Sequence, residues 1–482
     1  MNIIYSLFLA FYRPVMTLGN LLPSKAGAKE IRIFFLYFIV FSVIALALGW
    51  PRPNRDDMIF IGTPIHYLAG GNFENPYCSY FLEQLGTIRH LYYVPGHAIL
   101  LTGWLKLWGV SAVSFVAFTV LCWWIGGWSL FLILTRHVRW HTWPALVAVT
   151  HYLFVMSMLG LRPDSAGWGC MLAGICLLLG ERRRWQIAGY VLTVGSVLIA
   201  PVCFAVVIPV YVYLLIKDPK RLKTLLLTCT LASVLFAGLA GFFIDFDYAE
   251  FYRVFTRHIG VARFRGYTRT DYLVQFFTTN MYAVLRLPFY TLALLLLLYG
   301  CYRRNAFMAV LLAVALLSYW MYPPYALENV HLIIALVTLL YSLGFLKRLQ
   351  YNKVGGLLAV LLLGAMNLVF LITNIFQVNE VVLPPVPERT FTAAYVCGDA
   401  FAARYIYDYK LPSNFKWLDF YRYDFAPEGF YEQRPDEVWI FGAIYPYRMN
   451  DNREYDIPVV KIGNIPFRSI VLYPNYLYIR KP

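Results

Sequence analysis

The sequence that decides the fold is residues 224–244, TLLLTCTLASVLFAGLAGFFI, a run of 21 residues without a charged side chain. About 20 consecutive apolar residues are enough for a helix to cross a bilayer. The whole chain of 482 residues is 60% hydrophobic and only 14% charged, whereas ordinary soluble domains are about a quarter charged. This composition excludes a soluble enzyme, a disordered chain and a small secreted module.

Further apolar runs lie on both sides of this one, and together they predict a polytopic α-helical membrane protein with about eleven spans. The predicted spans are residues 31–50, 111–135, 143–161, 166–180, 187–200, 202–216, 224–244, 283–300, 306–321, 332–346 and 355–377. Pro201 separates the short fifth and sixth spans. Because proline ends or kinks a helix, we expect a helical hairpin there that turns near the outer leaflet.

The distribution of Lys and Arg predicts the orientation of these spans. The N-terminal segment and the loops after the even-numbered spans place 18 basic and 3 acidic residues on one face, against 11 and 10 on the other. Basic loops stay in the cytoplasm, so we expect a cytoplasmic N-terminus, an outer C-terminus and a multi-pass protein of the inner (plasma) membrane. The net charge of +15 is thus explained by insertion, and no nucleic-acid partner is expected.

Three parts of the chain are predicted. Residues 1–30 form a cytoplasmic interfacial segment, residues 31–377 the membrane domain with outer loops 51–110 and 245–282, and residues 378–482 a small α/β extracytoplasmic domain. The Tyr and Trp residues of this last part either stack on sugar rings of an acceptor or form its core. Cys78 and Cys397 both lie in outer segments, where a disulfide and two free thiols are the alternatives.

Candidate chemistry is concentrated in the outer loop 51–110. Asp56 and Asp57 open the stretch DDMIFIGTPIHYLAGG, and Tyr93 opens YVPGHAILLTGWLKLWGVS, which contains His97. Adjacent acids in an aqueous loop are often only solvated. The alternative is that one of them accepts a proton from an attacking hydroxyl group.

This ordered pattern resembles the GT-C glycosyltransferases that use sugars linked to a lipid phosphate, such as the protein O-mannosyltransferases and the lipid A aminoarabinose transferases. Members carry an Asp-Glu or Asp-Asp pair after the first span, then a Tyr-Pro-Pro-like motif and an amphipathic helix that ends in Leu-Phe-Gly. Here Tyr-Val-Pro at 93–95 and Leu-Trp-Gly at 107–109 take those places. The resemblance covers residues 31–346 and implies a GT-C-like bundle whose active site faces the periplasm or exterior.

Arg162-Pro163-Asp164, at the predicted outer turn between the third and fourth spans, is the second match to the family. Proline ends a helix and aspartate is a common N-cap, so helix capping is one interpretation. The resemblance implies another, in which Asp164 is a second carboxylate of the site and Arg162 orients it or binds phosphate.

Arginines in the outer loop 245–282 predict a phosphate site without reference to any family. They are Arg253, Arg257, Arg263, Arg265 and Arg269, and the loop contains no lysine. The guanidinium group offers a planar fork that suits bidentate phosphate binding. Attraction to anionic lipid headgroups is the alternative interpretation.

Glu328 and His331 lie in the outer turn before the tenth span, where the family carries an Arg-Tyr motif near the donor. The resemblance implies that His331 binds phosphate and Glu328 the substrate, and an interfacial histidine is the alternative for His331. The remaining outer histidines are too widely dispersed to predict a zinc site. No cofactor is expected, although a divalent cation (Mg, Mn or Ca) is compatible, since some family members use one.

The resemblance implies an inverting glycosyltransferase that moves a sugar from polyprenyl phosphate to a hydroxyl group of a lipid, glycan or protein. Asp56 is the expected base, Asp57 and Asp164 position acceptor or sugar, and Tyr93 and His97 contact substrate. The sequence has no Gly-rich phosphate loop after a strand, which favours a lipid-phosphate donor over a nucleotide. The alternatives are an O-antigen polymerase or ligase that uses a polyprenyl diphosphate, and a flippase or transporter of a lipid-linked sugar.

Overall fold

The computed structural model describes most of the chain up to residue 305 and selected segments after it. The described residues are 28–47, 51, 57–75, 87, 89–137, 142–157, 160–263 and 283–305, short helical pieces within 308–316 and 361–371, and four strands after residue 392.

Helices dominate the described residues. They are α1 (Ala28–Ala47), α2 (Asp57–Leu68), α3 (Gly96–Trp108), α4 (Ala112–Leu132), α5 (Thr142–Ser157), α6 (Pro163–Leu178), α7 (Arg183–Ile199), α8 (Phe204–Lys217), α9 (Arg221–Phe243), α10 (Tyr248–Arg263) and α11 (Ala283–Tyr302). A π-helical turn, Ile133–His137, extends α4. A helix therefore lies over each of the first eight predicted spans, while most residues of the last three lie outside the described residues.

Two of the described helical segments are long and apolar enough to cross a membrane, Val113–Thr135 and Arg221–Phe243. Shorter apolar helices lie at Ile31–Ala47, Ala145–Ser157, Pro201–Lys217 and Thr291–Tyr302, among others. The second long segment, α9, leaves one apolar face exposed along its length, formed by Leu222, Leu226, Leu227, Leu231, Val234, Leu235, Leu239 and Phe242. Thr230 and Ser233 are the uncharged polar residues exposed among them, and a predominantly apolar exposed face is typical of contact with lipid. The total of eleven spans stays a prediction.

The core of the bundle is aromatic and is formed by α1, α4, α5 and α6. Phe34 packs against Trp128 and Phe131 with ring centroids 4.9 and 5.0 Å apart. Trp123 and Trp168 are fully buried in the same cluster.

Helices α6 and α7 approach closely through glycines. A Cβ atom at Gly174 would lie 2.9 Å from the carbonyl oxygen of Gly189, and one at Gly189 would lie 2.8 Å from that of Gly174. Small residues of this kind allow helix backbones to meet, a common way of packing helices in membranes.

The end of α7 brings two other helix starts together. After Ile199 the chain makes a short 3-10 turn, Pro201–Cys203, and reverses into α8, as the position of Pro201 predicts. A Cβ atom at Gly96, the first residue of α3, would lie 2.4 Å from the carbonyl oxygen of Leu198. One at Gly167, in the first turns of α6, would lie 2.4 Å from the Cβ of Ala200. The starts of α3 and α6 therefore share one end of the bundle.

The basic loops lie at the other end. Helix α6 is 16 residues long, so its two ends are about 24 Å apart at 1.5 Å per residue. At its far end Arg221 donates a hydrogen bond of 3.0 Å to the carbonyl oxygen of Leu178. The exposed segment 181–184, with three arginines, follows directly.

The strands form one mixed sheet after residue 392, in the order β1 (Ala393–Cys397), β2 (Glu437–Phe441), β4 (Ser469–Ile479), β3 (Val460–Phe467). β1 pairs with β2 in parallel, and the other pairs are antiparallel. The division into three domains is not tested by these strands and stays a prediction.

Candidate functional site

The loop between α2 and α3 is fixed by a buried amide. The side chain of Asn75 is fully buried and donates hydrogen bonds of 3.2 Å to the carbonyl oxygen of Ile59 and to the hydroxyl of Tyr92. Tyr92 donates to the same carbonyl oxygen. Gly62 makes room for this arrangement, because a Cβ there would lie 2.3 Å from the Asn75 Oδ1. The first turns of α2 are thus tied to the residues just before α3.

His90 is a buried and uncharged residue of the same loop. Its Nδ1 is 2.9 Å from the hydroxyl of Thr63, and its ring packs 4.8 Å from that of Tyr92. Burial disfavours the charged imidazolium and lowers the pKa of His90 to about 3, and the nearby His97 lowers it further. His90 therefore remains uncharged at neutral pH.

His97, in the first turn of α3, is a second buried neutral histidine. It is 2% exposed, and its ring packs between those of Phe60 and Phe118, with centroids 6.3 and 6.0 Å away. Burial lowers its pKa to about 3. Its Nδ1 has no hydrogen-bond partner among the described residues. Tyr93 packs edge-on against Phe60 at 5.0 Å, so both predicted substrate contacts of this loop lie against the first turn of α2.

That first turn begins at Asp57. The residue predicted to be the base, Asp56, and the side chain of Asp57 lie outside the described residues. The backbone of Asp57 is nevertheless one helical turn from Phe60, which contacts Tyr93 and His97. The backbone of Asp57 and the two predicted substrate contacts therefore belong to one neighbourhood.

Arg162 and Asp164 form an ion pair at the start of α6. The Arg162 Nε donates to Asp164 Oδ2 at 2.9 Å, and the carboxylate is only 6% exposed. Pro163 is the first helical residue and Arg162 occupies the N-cap position without a side-chain cap hydrogen bond. Asp164 thus lies in the first turn, where the helix dipole favours a negative charge.

Helix α10 carries the first arginines of the predicted phosphate site. Arg253 donates to Glu250 at 2.7 Å, which holds the pKa of this carboxyl below its usual value. Arg257, one turn further, is exposed on the same helix. His258 packs its ring 6.3 Å from that of Tyr92, which joins α10 to the loop before α3. The side chain of Arg263 and the whole of Arg265, Arg269, Glu328 and His331 lie outside the described residues.

Arg89 connects the first outer loop to the end of α9. It donates to Asp245 Oδ2 at 2.7 Å and to the carbonyl oxygen of Ile244 at 3.0 Å, and lies 3.5 Å from Asp247. Asp245 and Phe246 both have left-handed backbone conformations, with φ of 55° and 57°. Such conformations are unfavourable for a bulky residue and persist only where the surrounding structure holds them.

Sequence reasoning missed Arg89, Glu74, Asn75 and the buried role of His90. The density of polar and aromatic residues in RHLYYVPGH, residues 89–97, gave a signal for Arg89 and His90 only. The sequence also did not reveal that His151 and Asn367 form a buried pair. Asn367 Oδ1 lies 3.0 Å from His151 Nδ1, and the Asn367 amide donates a hydrogen bond of 3.1 Å to the carbonyl oxygen of Val147. No group of three or more His, Cys, Asp or Glu residues that could hold a metal is found among the described residues.

No protein-family model matches the chain, and no curated protein matches it. Among solved structures, the chain is similar to the crystal structure of the Archaeoglobus fulgidus oligosaccharyltransferase in complex with Zn and sulfate, at 13% identity and a TM-score of 0.39. The alignment covers 84% of this chain and 67% of that chain. A similarity at this level does not assign the chain to a family.

Proposed function

We propose that this protein is an inverting glycosyltransferase of the GT-C type, which moves a sugar from a polyprenyl-phosphate carrier to an acceptor hydroxyl group. In this proposal it is a multi-pass protein of the inner (plasma) membrane, and its active site faces the periplasm or exterior. The observation that carries the proposal is the gathering of polar residues at one end of the helical bundle. The start of α3, the start of α6 and the loop that contacts α10 all meet there.

The electrostatics of that end suit the chemistry. Two buried histidines are uncharged, so they shape the site without adding positive charges that would compete with the arginines for the phosphate. The Asp164 carboxylate is held by Arg162 and keeps a fixed position. Arg257 is exposed on α10, while the neighbouring Arg253 is engaged by Glu250. Of the two arginines of this helix whose side chains are described, Arg257 is therefore the one that we assign to the donor phosphate. Arg263, Arg265, Arg269 and His331 are assigned as further phosphate ligands.

The proposed reaction is a single displacement. Asp56 accepts the proton of the acceptor hydroxyl while its oxygen attacks the anomeric carbon. The bond between that carbon and the phosphate oxygen breaks, and polyprenyl phosphate leaves with the bonding electrons. Positively charged groups that are already in place stabilise the developing negative charge on the phosphate. Configuration inverts because attack and departure take place on opposite faces of the sugar.

Other residues position the reactants. Asp57 and Asp164 orient the acceptor or the sugar, and Arg162 holds Asp164. Tyr93, His97 and Glu328 contact substrate. No resident cofactor is needed for this displacement, and a divalent cation remains compatible with the carboxylates involved.

The test uses purified full-length protein in nanodiscs and a panel of polyprenyl-phosphate sugars. Donor binding is measured by thermal shift and turnover by release of free polyprenyl phosphate. We expect one donor to stabilise both wild type and Asp56→Asn, and only wild type to turn it over, because loss of a general base typically costs about 10²–10⁴-fold in rate. Arg257→Ala should weaken donor binding by about 10-fold or more.

Matched controls come from the opposite end of the bundle. Glu181→Gln and Arg183→Ala change exposed charges there and should leave binding and turnover unchanged. If no monophosphate donor binds and Asp56→Asn keeps full function in cells, the proposal is wrong. Binding of a polyprenyl diphosphate instead would favour a polymerase or ligase, and lipid-linked sugar transport without bond cleavage would favour a flippase.

A further inference from the structure

A pocket of about 310 Å³ lies between the turn after α2 and the end of α9, and its lining includes none of the predicted catalytic residues. It is lined by Tyr67, Gly71, Asn72, Phe73, Glu74, Arg89, Phe242, Phe243 and Asp245. Small-molecule sites in proteins are about 300–1,000 Å³, so this volume suits one small ligand group.

Three aromatic rings form one wall of the pocket. The centroids of Tyr67 and Phe73 are 6.0 Å apart, those of Tyr67 and Phe243 are 5.8 Å apart, and those of Phe73 and Phe243 are 5.0 Å apart. The faces of such rings are electron-rich, and they attract groups whose edge carries partial positive charge. The C–H bonds on one face of a sugar ring are groups of this kind.

Hydrogen-bonding groups occupy the remaining walls. Asn72 supplies an amide, which donates to and accepts from hydroxyl groups, and Glu74 supplies a carboxylate, which accepts from them. Arg89 is already engaged by Asp245 and the carbonyl oxygen of Ile244. The carboxylates of Glu74 and Asp245 therefore outnumber the single arginine of the lining, and the pocket disfavours a phosphate group.

The pocket is held in shape by its backbone. An isolated antiparallel bridge joins Glu74 to Arg89, and the amide of His90 donates to the carbonyl oxygen of Phe73 at 3.1 Å. On the other side, Asp245 and Phe246 keep left-handed conformations where Arg89 clamps the turn. The site is thus built before any ligand arrives.

We propose that this pocket binds a pyranose ring of the acceptor, which makes the acceptor a glycan; this inference rests on the proposed function. An aromatic wall, an amide and a carboxylate recognise the ring and its hydroxyl groups, and the excess of carboxylates keeps the phosphate of the donor out. The charged phosphate of the donor therefore binds at α10, and the uncharged sugar of the acceptor binds in this pocket.

The pocket is accessible to two sources of the same sugar. Phe242 is 67% exposed, lines the pocket and ends the apolar face of α9, so the pocket adjoins that face. A soluble oligosaccharide and the sugar headgroup of a glycolipid can both reach it.

The experiment uses full-length protein in nanodiscs in two arms. The first offers a panel of soluble pyranose oligosaccharides and measures binding by saturation-transfer NMR. The second includes glycolipids with one or two sugars in the nanodisc, against the same lipid without sugar, and measures thermal shift. We expect Tyr67→Leu and Glu74→Gln each to weaken binding by about 3–10-fold. Tyr302→Leu and Glu181→Gln are matched exposed controls and should bind as wild type.

The outcomes separate this inference from the proposed function. Arg257→Ala should lose donor binding but keep sugar binding, because the pocket does not contain it. Absence of sugar binding in both arms, or equal binding by wild type and the pocket variants, overturns the inference. If wild type still releases polyprenyl phosphate in that case, the proposed function stands. Sugar binding with no turnover of any donor contradicts the proposed function and the acceptor role together.

Discussion

Gly96 lies directly against the backbone of Leu198, and a Cβ atom at this glycine would be only 2.4 Å from the Leu198 carbonyl oxygen. This contact sets the distance between α3, which carries His97, and the end of α7. A backbone carbonyl cannot rotate away as a side chain can, so the helices themselves would have to separate to admit a methyl group.

Gly96→Ala should therefore destabilise the protein by about 1–3 kcal/mol and lower turnover, because overpacking at a backbone contact shifts the start of α3. Thermal unfolding and polyprenyl phosphate release measure the two effects. Gly103→Ala is the matched control, since Gly103 lies in the same helix with nothing within 4 Å of an added Cβ. It should be neutral or stabilising, and a similar loss in both variants would contradict the packing argument.

Arg162→Met should destabilise the protein by about 2 kcal/mol, because it removes the guanidinium group that pairs with the Asp164 carboxylate, which is only 6% exposed. The double variant Arg162→Met/Asp164→Asn should recover part of this loss, since the buried charge is then gone. Unfolding midpoints of the two single variants and the double variant measure the coupling. Arg253→Met is the control, because the exposed Arg253–Glu250 pair should contribute little. Purely additive effects at 162 and 164 would contradict the coupling.

Acid should destabilise the protein through His90 and His97. Their folded-state pKa values of about 3 lie below the ordinary value of 6.5, so the unfolded chain binds more protons once the pH falls below about 6.5. Stability is then lost as the pH falls, by about 1.4 kcal/mol per histidine for each pH unit down to the folded pKa.

The unfolding midpoint between pH 7 and pH 5 measures this loss. The double variant His90→Gln/His97→Gln removes both titrating groups and should show a clearly shallower dependence on pH. The carboxylates paired with Arg89 and Arg162 remain in both proteins, so their contribution cancels in the comparison. Equal slopes in wild type and double variant would show that these histidines are not the cause.

Asn75→Asp should destabilise the protein by about 3 kcal/mol, because the new carboxylate cannot donate to the carbonyl oxygen of Ile59 and would be a buried charge beside it. Asn72→Asp, three residues earlier and exposed, is the matched control for stability and should change the unfolding midpoint little. Similar losses in both variants would mean that the buried hydrogen bonds of Asn75 do not fix the loop.

The sequence predicted the position of the helices better than the arrangement of the site. Apolar runs such as residues 224–244 mark a helix because length and hydrophobicity are local properties. The proline at 201 likewise marked the reversal between α7 and α8. By contrast, the ion pair between Arg89 and Asp245 joins residues far apart in sequence, and nothing local to either residue indicates its partner.

The burial of the histidines could not be predicted from the sequence either. His97 was predicted as a substrate contact, yet its neutral state depends on the rings of Phe60 and Phe118, which come from other helices. The arginines of the outer loop illustrate the same limit, because Glu250 engages Arg253 only once α10 forms. Residue type predicted the chemistry, and tertiary packing determined which side chain remains available.

The order of the strands has a consequence for the timing of assembly. β4 lies between β2 and β3 although it follows both in the chain, and β1 reaches the sheet only through β2. β1 and β2 can pair earlier, but β3 has its neighbour only in β4, so the sheet is complete only after β4 has left the ribosome. In the proposed multi-pass arrangement, apolar helices such as α9 insert one after another during synthesis. The helices should therefore reach their final arrangement during translation, whereas the sheet should form only after translation.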